Sequence, residues 1–382
     1  MDTITVLLNK YKDNAYMTEK LNNYITNLPM VMNSIEENYI QKNIQLVDLN
    51  NKKDKYIQQF FQNHIIFYIP QTELFIEYVD TQYSIISEDD IVHYILSELN
   101  DSEIKIWKYR IKKNIIKRIK EICFSSSIPD ASTIKSVMQN LTMFASKNHT
   151  KYFLTILGDT ILNKKDAFTY FIDASYKPFL RKMIESVYSF TNKSMSDVFK
   201  YKYYDHKYEQ CRIITGKCPE MVPFKHKTLN IISVATYFSN KYVTAEGFLI
   251  QCNDVPFIEM TTFLKLNTPE SIVTMFIHDC TEKTGTTSYK DFYFSWRAYL
   301  KQKDLPLVIS DVHFKQILTQ LNLCKDDLVL LTTKQMYIHS VKMFLNNNTN
   351  IDNDISEIVY NYNKEHDFKI TEEMLVHIME YF

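Results

Sequence analysis

Lys151–Lys165 reads KYFLTILGDTILNKK, and it decides how the rest of the chain is assembled: it is either a near-match to a phosphate-binding loop or a buried structural element. A loop of the form G-x-x-x-x-G-K-[ST] surrounds phosphates with backbone N–H groups, neutralises them with its Lys and holds Mg²⁺ through its hydroxyl. Gly158 and Lys164 occupy the first Gly and the Lys of that pattern. Asn163 stands where the second Gly would open the backbone, and Lys165 replaces the hydroxyl, although Mg²⁺ takes oxygen donors. The cofactor-binding reading therefore reduces to weak phosphate contact at Gly158 and Lys164 in a degenerate nucleotide-binding protein, with no resident cofactor expected. The structural reading makes Tyr152, Leu154, Ile156 and Leu157 core residues and Gly158 a packing or turn glycine.

Around this stretch the chain has 382 residues, enough for two or three domains, with 45% hydrophobic content typical of globular protein. Gly is scarce at 4 residues, so long helices are easier to build than a glycine-turned β-sandwich. The expected fold is mostly α (α+β): helical domains, a small β-hairpin or sheet near 65–86, and a winged-helix-like C-terminal module. A net charge of −1 gives no global attraction to nucleic acid or membrane, so such binding requires a local patch. Six scattered Cys without a CxxC pair fit reduced thiols in a cytoplasmic setting. The start, Met1-Asp2-Thr3-Ile4, lacks a secretory pattern and no apolar run is long enough to span a membrane, so no membrane partner is expected.

Four segments follow from periodicity and punctuation. Residues 1–64 read as a helical lead-in broken near Pro29 and in the polar run Asn50–Asp54. Residues 65–125 combine a hairpin, His64–Ile69 with Glu73–Tyr78, a possible third strand Tyr83–Ile86, a helix capped by Ser87, and a basic helix. That last helix, Ser102–Cys123, sets Ile104, Trp107, Ile111, Ile115, Ile119 and Ile122 on one face. Lys105, Lys108, Arg110, Lys112, Lys113, Lys117, Arg118 and Lys120 cover the remainder, a pattern that suits phosphates, DNA or RNA, an acidic partner, a membrane surface or a plain solvated face. With one Trp and one Tyr interleaved, base stacking is not indicated.

The third segment, 126–284, reads as an α-rich central domain with helices after Asp130 and Pro178, a short strand at Thr169–Ile172, a buried helix at Leu229–Tyr242 and another opened by Thr268-Pro269-Glu270. Its stretch Tyr201–Arg212, YKYYDHKYEQCR, places Lys202, Lys207 and Arg212 among tyrosines, an interleaving that suits nucleic acid. The same stretch offers a nucleophile–base reading of Asp205, His206 and Cys211, and a loosely spaced zinc reading of His206, Cys211, Cys218 and His226. No catalytic set and no metal site emerges from either. The fourth segment, 285–382, begins at the turn Gly285-Thr286-Thr287. It reads as two helices, Tyr289–Gln302 and Asp311–Leu321, then a strand Leu328–Leu331, and two closing helices. The second of the paired helices carries one base, Lys315, so it suits a protein partner as well as a DNA groove.

Three passages, FYIPQTELFIEYVDTQYSIISEDDI (Phe67–Ile91), YFLTILGDTILNKK (Tyr152–Lys165) and SWRAYLKQKDLPLVI (Ser295–Ile309), together resemble a family of poorly characterised proteins of giant nucleocytoplasmic DNA viruses. The first and last also resemble the modules flanking the ATPase in poxvirus-type primase-helicases. The resemblance implies a replication or transcription setting in the host cytoplasm or viral factory, with viral replication or virion proteins as partners. The ATPase motifs do not carry over beyond Gly158 and Lys164. Two functional expectations result: a non-catalytic nucleic-acid-associated or scaffolding protein, and a virion or assembly protein acting through protein contacts.

Overall fold

Asn14 opens a helix of 49 residues, α2 (Ala15–Asn63), its side chain accepting from the Met17 amide at 3.1 Å. A short helix, α1 (Thr3–Tyr11), folds back on its first turns, and the Thr18 hydroxyl donates to the Tyr11 carbonyl. The expected breaks are absent: α2 runs through both Pro29 and the run Asn50–Asp54. An interior proline forfeits one helical hydrogen bond and crowds the preceding turn, at a cost of roughly 3 kcal/mol. From Thr26 to Asp48 every residue of α2 is exposed, and among the described residues none packs there to offset that cost.

The last turns of α2 are different. Ile57 and Phe60 enter a core with Ile66 and Phe75 of the sheet that follows. That sheet is an antiparallel meander of β1 (Ile66–Ile69), β2 (Leu74–Val79) and β3 (Gln82–Ile86). The β2–β3 turn, Asp80-Thr81, has φ of 49° and 68°, the left-handed pair whose twist matches that of the flanking strands. Helix α3 (Glu88–Glu98) starts on a capping box in which Ser87 and Asp90 exchange hydrogen bonds, as the acidic run implies. His64 ties these pieces together, stacking on Tyr94 with its Nε2 2.8 Å from Glu98 Oε1. A 3-10 turn, Ile104–Trp107, then leads into α4 (Lys108–Glu121).

The structure, a computed structural model, describes residues 3–164, 168–195, 197–202, 207–214, 228–282, 286–333, 337–347, 354–365 and 370–381. It divides into two units, Met1–Phe124 and Ser125–Phe382.

In the second unit α5 (Ala131–Asn140) packs on α6 (Lys147–Ile161), and α6 lies on a parallel sheet, in which β4 (Thr169–Ile172) lies between β5 (Phe199–Lys200) and β6 (Cys211–Ile214), with α7 (Lys177–Thr191) connecting β4 and β5. Helix α8 (Thr228–Tyr242) is the principal neighbour of α6, and the two approach closely at Gly158. A Cβ there would lie 2.1 Å from the Ala235 carbonyl oxygen, so glycine is what the crossing requires. Short helices α9 (Ala245–Gln251), α10 (Val255–Thr261) and α11 (Phe263–Leu266) lead to α12 (Pro269–Cys280), which Thr268 caps reciprocally with Ser271.

After α12, β7 (Thr281–Glu282) and β8 (Thr287–Ser288) precede α13 (Tyr289–Gln302) and α14 (Asp311–Gln320), then the hairpin β9 (Cys324–Lys325) and β10 (Leu328–Val329). The strand order is β8-β10-β9, and β11 (Thr332–Thr333) returns to pair with β7. Phe276, Phe292, Trp296 and Phe314 fill the core under these strands. Phe314, Ile317 and Leu318 point inward as the periodicity implies, whereas Leu321, expected with them, ends the helix exposed. Helices α15 (Tyr337–Asn347), α16 (Ile355–Glu365) and α17 (Glu372–Tyr381) share a separate core with Phe294. The fold is mostly α with small sheets, and among the described residues no helix is long and apolar enough to cross a membrane.

Candidate nucleic-acid interface

Helix α4 owes its position to its isoleucines. Ile111, Ile115 and Ile119 are fully buried against Ile57 and Phe60 of α2, Ile91 and Ile95 of α3, and the meander. Ile116, outside the expected stripe, is buried too, while Trp107 at the stripe's start is half-buried. With that ridge inward, Lys108, Arg110, Lys113, Lys117, Arg118 and Lys120 are exposed, as is Lys105 in the preceding turn, and Lys112 is half-buried.

Much of the charge on this helix does nothing for the helix itself, although Arg118 and Lys120 in its last turn do favour the dipole. Its 14 residues carry seven cations and one acid, Glu121. Lys108 and Arg110 sit at the positive end of the macrodipole, the first turn has no acid, and Glu121 closes the negative end. Lys108 with Lys112, and Lys113 with Lys117, are like charges four residues apart, each pair destabilising by about 0.2–0.5 kcal/mol. Among the described residues one carboxylate reaches the eight cations: Glu88, 3.9 Å from Lys112. Several bases lie over rings instead, Arg110 over Trp107 at 5.5 Å and Lys120 over Tyr68 at 5.6 Å. Tyr109, Lys112, Lys113, Ile116, Lys117 and Lys120 line a shallow groove of about 490 Å³, whose wall also includes Glu88 and Glu121. Tyr109 is 76% exposed, a ring at the groove that the sequence pattern alone does not distinguish from a surface tyrosine.

The second group of expected contacts is not one patch. Lys202 and Lys207 are exposed, but Arg212 is 2% exposed on β6. Its Nε and Nη2 grip Glu246 at 2.9 and 2.7 Å, its Nη1 donates to the Glu209 and Cys211 carbonyls, and Phe168 stacks 4.2 Å away. Arg212 is thus a structural cation, a correction to its grouping with the lysines: β6 is buried along its whole length, and the partly buried carboxylate of Glu246 holds the guanidinium there. Tyr208 likewise turns in, its hydroxyl donating to the Val308 carbonyl at 2.7 Å. Tyr203, Tyr204, Asp205, His206, Cys218 and His226 lie outside the described residues, and with them most of the nucleophile and zinc readings. Cys211 itself is buried, its thiol pushed up to about 11 by desolvation, which removes the thiolate that either chemistry needs.

Gly158 and Lys164 also have other employment. Gly158 lies within α6, not in a loop, so the amides around it point along the helix axis. Lys164 donates to the Ser239 carbonyl at 2.8 Å, the Ser239 hydroxyl at 2.7 Å and the Val243 carbonyl at 2.8 Å, placing its charge at the negative end of α8. Asp159, 4.0 Å away, accepts from the Ala245 amide at the positive end of α9. All three ammonium protons are committed, and burial lowers the Lys164 pKa despite Asp159. Lys165 lies outside the described residues.

No protein-family model, no curated protein and no solved structure matches the chain.

Proposed function

We propose that this chain is a non-catalytic, nucleic-acid-associated or scaffolding protein that holds the phosphate backbone on the outer face of α4, in the viral genome replication or transcription setting that the sequence resemblance implies. The observation that carries the reading is the cationic face itself: a row of bases that repel one another, two of them at the positive end of the helix dipole, with Glu88 the one carboxylate within ion-pair reach among the described residues. Such an arrangement costs stability in the free protein and is relieved by a polyanion. The exposed Tyr109 and the groove beside it give single strands a ring to meet, and the straight lysine face serves duplexes equally. Electrophoretic binding across a salt series, with single-stranded and duplex ligands, tests it. Affinity falling with a log–log slope of about −4 to −6, as expected for five to seven phosphate contacts, supports the reading. Negligible, salt-insensitive binding ends it.

The order helix, strand, two helices, hairpin, with β8-β10-β9 pairing, supports a winged-helix reading of the module from α12 to β10. Lys315 on its second helix is paired to Asp327 at 2.8 Å, which favours a protein contact over a DNA groove for that surface. A second reading, an assembly protein of the virion, draws support from the uncovered apolar residues of α2. Nucleotide binding at Gly158 and Lys164 has no such support, because their backbone and ammonium groups are already engaged.

A further inference from the structure

From Leu21 to Phe60, α2 carries a continuous frame of alternating four- and three-residue steps, and Lys42 and Lys53 are its two polar members. That period of 3.5 is the seam of a coiled coil, narrower than the 3.6-period face of a helix lying on a globular core. At the C-terminal end the seam is occupied: Leu49, Tyr56 and Phe60 pack into the core of their own unit. Upstream it continues in the same frame with nothing on it, from 48% exposed at Leu28 to 66% at Tyr39. Helix α1 packs against the start of α2, where Leu21 and Ile25 are partly buried.

We propose that residues 21–46 of α2 pair with the same segment of a second copy of this chain, antiparallel, about a twofold axis between Asn33 and Ser34. The sequence is self-complementary in that orientation. Met32 meets the partner's Ile35, Leu28 the partner's Tyr39, Ile25 the partner's Lys42 and Leu21 the partner's Leu46, and each is a pairing of the two seam positions that face one another in antiparallel coils. Lys42 selects the orientation: in a parallel pair it would face the partner's Lys42 inside the seam, whereas here its stem lies on Ile25 and its ammonium reaches water. Of the flanking positions, Asn22, Tyr24, Pro29, Val31, Asn38, Asn43 and Gln45 are uncharged, and the one charged member, Glu36, lies opposite the partner's Val31 and not opposite a second acid. The seam extends for about 38 Å, close to four heptads, the length at which such pairing is stable. Pairing also gives a cause for the unbroken helix, since an exposed segment with Pro29 and many Asn has poor helical stability alone.

Two measurements on the full chain test this. Light scattering at micromolar concentration is expected to give a dimer. Met32→Asp with Ile35→Asp is expected to raise its dissociation constant by at least ~100-fold, while Ile44→Asp with Val47→Asp, exposed but outside the seam, leaves it in place. Amine cross-linking of mixed isotope-labelled and unlabelled wild-type chains needs no variant. It is expected to join Lys20 of one copy to the partner's Lys42, residues about 33 Å apart along one helix and adjacent in the antiparallel pair. A monomer, a dimer dissolved by the Ile44 and Val47 changes and not by the seam changes, or a link from Lys42 to the partner's Lys42 overturns the proposal.

Discussion

The ammonium of Lys164 is shared between the carbonyl and the hydroxyl of Ser239, at 2.8 and 2.7 Å, and this joins the end of α6 to the end of α8. A lysine that reads in sequence as a phosphate ligand is in fact a helix cap. Replacing it with Met should destabilise the protein by about 2–3 kcal/mol, since two terminal carbonyls lose a charged donor and Asp159 loses its neighbouring cation. Urea denaturation measures this. Millimolar Mg²⁺–ATP should leave the midpoint of the wild-type chain unchanged.

The crossing of α6 and α8 makes Gly158 sensitive in the opposite sense from an ordinary helical glycine. Gly→Ala in an exposed helix interior stabilises by about 1 kcal/mol. Here the added methyl meets the Ala235 backbone, so Gly158→Ala should destabilise by at least ~2 kcal/mol, read as a lowered thermal midpoint.

Arg212 tests buried electrostatics apart from binding. Arg212→Ala leaves Glu246 without its bidentate partner and Phe168 without its stacked guanidinium, and should cost about 3–5 kcal/mol. Arg212→Lys keeps the charge but not the fork, and should recover part of the loss.

The triple variant Lys112→Glu, Lys113→Glu, Lys117→Glu should weaken nucleic-acid binding by at least ~100-fold at low salt and flatten its salt slope, with no loss of helicity by circular dichroism. Unchanged affinity would remove α4 from the interface.

His149 supplies a pH dependence. Burial lowers its pKa from 6.5 to about 4, with Asp254 opposing in part, while Ser146 Oγ lies 2.9 Å from Nδ1. The unfolded chain therefore takes up the proton first as the solution is acidified. The contribution is neutral above pH 6.5, and stability is lost as pH falls from 6.5 toward 4, on the order of 2 kcal/mol after allowing for partial solvent access. His149→Gln should flatten that part of the urea-midpoint profile.

Sequence reading succeeded where one local rule dominates. The Ser87 and Thr268 caps, the 65–86 meander and the isoleucine ridge of α4 are each set by residues close in the chain, and the structure places them where the pattern implies. It failed where distant partners decide. Pro29 and the polar run at 50–54 are helix breakers by composition, yet the seam's 3.5-residue frame crosses both, a signal that only a long window detects. Arg212 resembles its neighbouring lysines until Glu246, brought from another helix, identifies it as internal. Lys164 and Gly158 share spacing with a nucleotide loop because a helix end and a helix crossing also require a cation and a missing side chain.

A helix whose cations crowd one another also has an unusual thermal behaviour. Simple electrolyte, by screening the crowding along α4, should make the N-terminal unit melt later, the reverse of what is expected where ion pairs sustain a fold. Any ligand that neutralises the row adds to this by mass action. Amide exchange along Lys108–Glu121 would then slow in proportion to occupancy, so this one element reports its own saturation without a label.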